Sequence, residues 1–398
     1  VQLIFNQTPF YAESGGQVGD QGYAQTSDCL IQINDTKKCA GLFIHSGTVS
    51  KGSIKEGDSL SLFVDAARRN KIKANHSATH LLHEALRQLL GDHVAQRGSL
   101  NAEDRLRFDF SHSSLLTDEA IQSIEKSVNK YIRQNSSVQT RIMTPDDARE
   151  IGAQALFGEK YGDEVRVVSM GQQKDVGKGI TGQTYSLELC GGTHVKQTGE
   201  IGAFTIVSES ASSSGVRRIE ALTGESAIIH LSKKSQQVNE LSAFLKVSAG
   251  KLNQRVNVLM EERKNLTSEV SELKRKLAIF GKGNSEAVKV EQINGISFFA
   301  QIYSGISGKD LPSLVDEHKD RLKSGVILLI TESENRVAVA AGVSSDLTDK
   351  FSAVELVRNA VPELGGKGGG GRPDFAQGGG SDISGADAAI IAVKKLIK

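Results

Sequence analysis

The chain has 398 residues, of which 38% are hydrophobic and 24% charged, with a formal net charge of +1. That length exceeds one ordinary core and predicts several domains of soluble globular composition, while the lack of any apolar run of about 18 residues argues against a membrane span. The near-neutral balance excludes a global electrostatic case for nucleic acid, so any such case must rest on local patches.

Residues 1–72 read as strand-rich. Period-two alternation in Val1-Gln2-Leu3, Leu30-Ile31-Gln32-Ile33 and Leu60-Ser61-Leu62-Phe63-Val64 predicts strands of a small β-barrel. Glycines crowd Phe10 to Gly22. A tight turn is the plainer reading there, and a loop whose bare backbone admits a nucleotide is the functional one. The first residues, Val1-Gln2-Leu3-Ile4-Phe5, lack a Met and show no leader pattern, so the chain is expected to be a piece of a longer protein.

From about Ala74 to Leu90 the period changes to that of a helix. Ala78, Leu82, Ala85 and Leu89 fall on one side, and His76, His80, His83 and Arg87 on the other. Arg105 to Phe110 predicts a strand, and 117–135 a helix capped by Thr117 with acids in its first turn. Thr144-Pro145-Asp146-Asp147 opens another helix. Strands are expected at 164–170, 202–208 and 216–222, with a mobile surface loop from Gly171 to Thr184. This mixture predicts an α+β domain over 73–224.

Residues 225–282 keep an apolar residue every seventh position from Leu231 to Phe280, interrupted near Ser248-Ala249-Gly250. That pattern predicts an antiparallel helical hairpin, with an intermolecular coiled coil as the alternative. Between residues 230 and 285 stand eleven Lys/Arg against five Asp/Glu, either a solvated surface or an arm lying along phosphates. After a linker at Gly281-Lys282-Gly283, residues 283–398 predict an α/β domain with strands at 296–302, 326–330 and 337–343 and helices at 309–323, 346–360 and 385–397. Nine glycines lie between Gly365 and Gly380, where a structured loop presenting backbone N–H groups, Lys367 and Arg372 to an anion is expected.

Two motifs carry chemistry. In H-S-A-T-H (His76 to His80) the imidazoles stand four apart, on one helix face. In C-G-G-T-H (Cys190 to His194) a thiol and an imidazole flank two glycines. Together they offer three nitrogens and one sulfur, a soft tetrahedral set suited to Zn2+. A zinc peptidase of the H-E-x-x-H type needs Glu after the first His, and here Ser77 stands there. Thr79, Gln96 and Ser99 are nearby polar residues that could serve a small pocket. Three cysteines (Cys29, Cys39, Cys190) make no disulfide framework, which fits a reducing, cytoplasmic compartment.

N-H-S-A-T-H-L-L-H (Asn75 to His83), G-S-L…R-F-D-F (Gly98 to Phe110), E-L-C-G-G-T-H (Glu188 to His194) and G-V-R-R-I-E-A-L-T-G (Gly215 to Gly224) resemble the editing domain of alanyl-tRNA synthetases. Thr8 to Gly22 resembles the β-barrel before it, and 225–398 the C-terminal region, whose last domain is shared with DHH-type phosphoesterases. The resemblance implies hydrolysis of serine or glycine wrongly esterified to tRNA for alanine. It implies zinc on His76, His80, Cys190 and His194, and catalytic or selecting roles for Thr79, Gln96, Ser99 and Cys190. It further implies tRNA contact in the last domain, for which Lys367 and Arg372 are the candidates, and a homodimer through 225–398. No class II aminoacylation core and no Asp-His-His motif are expected here, hence neither ligation nor phosphoesterase activity. The alternatives are a free-standing deacylase acting in trans and a non-catalytic tRNA-binding or dimerisation module with a structural zinc.

Overall fold

A computed structural model describes residues 1–154, 162–173, 177–280, 290–333 and 336–398. The chain is mixed α/β and divides into two compact units, Val1–Leu241 and Ser242–Lys398. The expected linker at Gly281-Lys282-Gly283 lies outside the described residues.

The first unit opens with β1 (Gln2–Leu3), β2 (Gly22–Gln25), β3 (Leu30–Cys39), β4 (Leu42–Lys51) and β5 (Ser61–Val64). These form an antiparallel sheet in the order β1-β4-β3-β2-β5, with Phe10, Ala24, Ile31 and Ile33 buried beneath it. Among the described residues no pairing joins β1 to β5, so the barrel expectation is met only as a five-stranded sheet. α1 (Ala66–Leu90) follows directly. It begins eight residues before the expected start near Ala74, because its first turns are held by polar contacts. The Asp65 side chain accepts the Arg68 N–H at 2.9 Å, Arg68 donates to the Gly19 carbonyl at 2.8 Å, and Arg69 pairs with buried Asp20.

Beyond α1 come β6 (Gln96–Asn101), β7 (Leu106–Ser111), α2 (Asp118–Gln134), β8 (Gln139–Met143), α3 (Pro145–Glu150), β9 (Val165–Gln172), β10 (Thr184–Leu189), β11 (Phe204–Ser213), β12 (Val216–Thr223) and α4 (Gly224–Leu245). They make a four-stranded sheet β11-β12-β7-β6 and a three-stranded sheet β10-β9-β8. Thr117 and Thr144 cap α2 and α3 as expected, the latter with Pro in its first turn. The apolar face of α1 (Ala78, Leu81, Leu82, Ala85, Leu86) packs with Phe108 and Phe110 of β7, Ile219 of β12 and Val128 of α2. The stretch expected as a mobile loop, so far as it is described, turns back on the fold: Lys178 pairs with buried Glu84 of α1, and its N–H donates to the Thr184 carbonyl at 2.7 Å.

The second unit takes in α5 (Leu252–Phe280), β13 (Glu291–Ile293), β14 (Ile296–Ser304), α6 (Leu311–Leu322), β15 (Val326–Ser333), β16 (Arg336–Val343), α7 (Ala353–Ala360), β17 (Gly369–Arg372), β18 (Phe375–Gly380) and α8 (Ala386–Ile397). Its sheet runs β13-β14-β15-β16-β18-β17, parallel only between β14 and β15, which α6 joins as a crossover. Val326 to Ile330 is apolar without alternation because both faces are covered, α7 and α8 packing on one side and α6 on the other.

Two expectations are corrected here. Residues 345–350 do not extend α7: Thr348 turns its hydroxyl to the Ser345 carbonyl at 2.9 Å and the Ser324 hydroxyl donates to Asp346, local bonds that compete with a helix. The glycine run is a paired β-hairpin rather than a loop of free backbone N–H groups. Gly369 to Arg372 pair with Phe375 to Gly378, and β18 pairs with β16, so these backbone groups enter the ladder. A Cβ on Gly378 would stand 2.4 Å from a methyl of Val361, and one on Gly369 2.4 Å from a methyl of Val357. The glycines let α7 and the turn after it lie flat on the strands.

His318 of α6 is buried under Phe299, with Nε2 2.9 Å from the Tyr303 hydroxyl. Burial pushes its pKa down to about 4, and the charge of Arg321 acts in the same direction. The unfolded imidazole titrates near 6.5, so between those values the unfolded chain binds more protons and stability falls as the pH falls. Urea unfolding of the wild type and His318→Gln at pH 7 and pH 4 checks this. The wild type should lose on the order of 2 kcal/mol more than the variant, and equal losses would contradict it.

Candidate metal centre

His76, His80, Cys190 and His194 come together, each offering one donor atom, with all four donors within 4.8 Å of one another. α1 brings the first two, one turn apart; the loop after β10 brings the others. Cys190 Sγ lies 3.4 Å from His76 Nε2 and 3.3 Å from His194 Nε2. Donors set tetrahedrally at zinc bond lengths stand roughly 3.3–3.8 Å apart, so these spacings fit one ion between them.

Each imidazole is held from behind. His76 Nδ1–H donates to Gln17 Oε1 at 2.8 Å, an oxygen that also accepts the Thr193 N–H at 2.8 Å. His80 Nδ1–H donates to Glu188 Oε2 at 2.5 Å. His194 Nδ1 lies 3.2 Å from Ser77 Oγ, which accepts the Val195 N–H at the same distance. With Nδ1 so engaged, the Nε2 lone pairs face the common point. His80 Nε2 is buried with no hydrogen-bond partner among the described residues, the orphan that a bound cation would satisfy.

The charges describe a site that would release a proton from His80 on taking up a cation. Burial raises the Cys190 thiol, but the neighbouring His76 and His80 outweigh it and hold the group well below the ordinary thiol range. Burial lowers His194 to about 3, aided by the charge of His76. For His80 burial again opposes charge, yet Glu188 and Cys190 together push it up to about 10. A thiolate with three histidines is the donor chemistry that selects a soft divalent ion.

A cavity of about 500 Å³ opens beside the cluster. Its wall includes His76, His80 and Cys190, together with Thr79, Gln96 and Ser99, so the residues expected near the chemistry share one space. Thr79 Oγ1 lies 2.6 Å from Asn101 Oδ1 and 3.0 Å from the Asn75 carbonyl. The Asn101 amide in turn reaches Ser99 Oγ at 3.4 Å. Lys367 and Arg372 belong to the other unit, where Arg372 pairs with Asp374 at 3.2 Å.

Sequence reasoning missed Gln17 and Glu188. Gln17 follows the turn glycines Gly15 and Gly16, so the stretch from Phe10 to Gly22 is a tight turn that also serves the site. A Cβ on Gly16 would stand 2.6 Å from the Ser99 carbonyl oxygen. Only glycine lets that turn settle there and bring Gln17 behind His76. Glu188 stands near the end of β10, two residues before Cys190, and that closeness to a candidate ligand was its one signal in the sequence. Ser77, where a peptidase would need Glu, instead backs His194.

Gly192 is the tightest point. A Cβ there would stand 2.2 Å from His76 Cε1 and 2.9 Å from Gln17 Oε1. Gly192→Ala should therefore displace His76 and weaken metal binding by about 10–100-fold, the range for losing a ligand's support. Competition titration with a chromophoric chelator measures this, and unchanged affinity would contradict the geometry.

Family models match three stretches of the chain. The model for the threonyl and alanyl tRNA synthetase second additional domain matches residues 165–220, which include Cys190 and His194. That for tRNA synthetases class II (A) matches residues 1–68, so the N-terminal sheet is the part of this chain the class II model describes. The DHHA1 domain model matches residues 295–398. The alanine–tRNA ligase of Dinoroseobacter shibae is 63% identical over 396 residues, covering 99% of this chain and 45% of that protein. The alanine–tRNA ligase of a Ruegeria species is 58% identical over 398 residues, covering 100% and 45%. Among solved structures, the C-Ala domain of Aquifex aeolicus alanyl-tRNA synthetase aligns at a TM-score of 0.26 and 28% identity, over 27% of this chain and 96% of that one. The chain thus spans less than half the length of the curated relatives it matches. With nearly every residue aligned at such identity, and with the metal-site motifs inside the matched region, the chain belongs to the alanine–tRNA ligase family.

Proposed function

We propose that the chain is the editing part of an alanine–tRNA ligase, a zinc-dependent deacylase that hydrolyses serine or glycine mischarged onto tRNA for alanine. The observation that carries this reading is the orphaned His80 Nε2, set among three other donors at the edge of a cavity. Zinc held by His76, His80, Cys190 and His194 supplies a Lewis acid that can orient and polarise an ester carbonyl. The protein's own residues do the selecting, within 73–224. The hydroxyl of Thr79 is engaged by Asn101 and Asn75, so Thr79 shapes the wall; Gln96 and Ser99 offer polar atoms to the substrate side chain. A pocket for alanine cannot strongly exclude one added hydroxyl, so a second, hydrolytic sieve is needed. Conversely, polar groups that pair with the serine hydroxyl are left unpaired by alanine, which protects the correct product.

Incubating the chain with Ser-tRNA and Ala-tRNA of alanine specificity tests this. The serine ester should be cleaved and the alanine ester spared, with cleavage lost on chelation and in Cys190→Ala. Equal cleavage of both esters, or of neither, would contradict the proposal. A tRNA-binding module with a structural zinc predicts the last outcome.

We further propose that residues 225–398 supply tRNA affinity and self-association, with Lys367 and Arg372 at the glycine hairpin touching phosphate. Lys367→Gln and Arg372→Gln should each lower tRNA affinity and reduce the slope of log affinity against log salt by about 1, leaving zinc content unchanged. Unchanged slopes would make the hairpin scaffolding alone.

A further inference from the structure

His83 is a buried imidazole to which the metal centre assigns no task. It lies seven residues after His76 on the same face of α1 and is 5% exposed. Its Nδ1 stands 3.0 Å from Glu188 Oε1, while His80 Nδ1 stands 2.5 Å from Glu188 Oε2. One carboxylate on β10 therefore joins two imidazoles of α1. Carboxylate oxygens accept, so at these distances both imidazoles donate through Nδ1.

That arrangement leaves an unpaired atom. His83 Nε2 is buried with no hydrogen-bond partner among the described residues, and the ring lies against Phe108 with centroids 5.2 Å apart. An unpaired buried polar atom is destabilising, and a leucine on this helix would carry no such cost. The presence of an imidazole here is therefore explained by what its other nitrogen does.

We propose that His83 is a positioning residue of the metal centre: by holding Oε1 of Glu188 it fixes the carboxylate, so that Oε2 orients His80 and Glu188 itself stays off the ion. Without the donor at position 83, Oε1 becomes a buried charge lacking its partner. The carboxylate then turns, His80 loses its fixed orientation, and Glu188, which also faces the cavity, becomes a competing oxygen donor. The inference rests on the four-ligand metal site and is independent of the ester substrate.

The test is metal binding by the whole chain, with zinc titrated against a chromophoric chelator and cobalt(II) read by its d–d absorption, which reports donor type and geometry. His83→Phe keeps a ring and removes the donor. It should weaken zinc binding 10–100-fold and alter the cobalt spectrum, whereas His83→Gln, whose amide can still donate to Oε1, should restore most of both. A folded His83→Phe chain with unchanged affinity and spectrum overturns the proposal, as does an equal loss in the two variants. Should His83→Phe fail to fold, ring-nitrogen NMR of the zinc-loaded wild type decides: His83 protonated on Nδ1 is expected, and protonation on Nε2 alone overturns the proposal. None of these readouts uses ester cleavage, so failure here and failure of the deacylase reading are distinguishable.

Discussion

An imidazole whose Nδ1–H is tied to an acceptor can offer its other nitrogen in one direction only, and the first unit depends on that constraint met three times over. Gln17 from the N-terminal sheet, Glu188 from β10 and Ser77 from α1 itself stand behind His76, His80 and His194. Three separate parts of the fold must therefore be in register before the donors converge. The polar face of α1 becomes a buried surface, which is why a helix with histidines opposite its apolar stripe is enclosed on both sides.

The N-terminal sheet is accordingly part of the site rather than an attachment to it. Asp20 accepts the Tyr11 N–H at 2.7 Å and pairs with Arg69, while Arg68 holds the Gly19 carbonyl and reaches Glu103 at 3.0 Å. These contacts tie the glycine turn to the first turns of α1, and the turn carries Gln17. Asp20 is almost fully buried, so losing Arg69 would strand a charge, a loss of about 3–5 kcal/mol by the usual reckoning for such pairs. The energy that seats the turn and the geometry that aims His76 are thus linked through the glycine turn.

Much of this was legible beforehand where periodicity and chemistry coincide. The four ligands stood out because spacing and donor type agreed, and β14, β15 and β16 because their runs are plainly apolar. What stayed hidden has physical causes. The first turns of α1 lack an apolar stripe, since arginines and a carboxylate hold them. Strands β6 and β8 carry polar residues along much of their length and show no alternation to read. Gln17 is bonded to a residue 59 positions away, a link that no local pattern encodes. The strand pairing of the glycine run was hidden because glycine serves two ends: it bares backbone for ligands and it makes room for a helix, and here Val357 and Val361 occupy that room.

The first unit's chemistry depends on its donor set. Zinc K-edge X-ray absorption of the metal-loaded chain measures it directly. One sulfur at about 2.3 Å and three nitrogens at about 2.0–2.1 Å are predicted. A shell without sulfur, or one containing a carboxylate oxygen in place of a nitrogen, would contradict it.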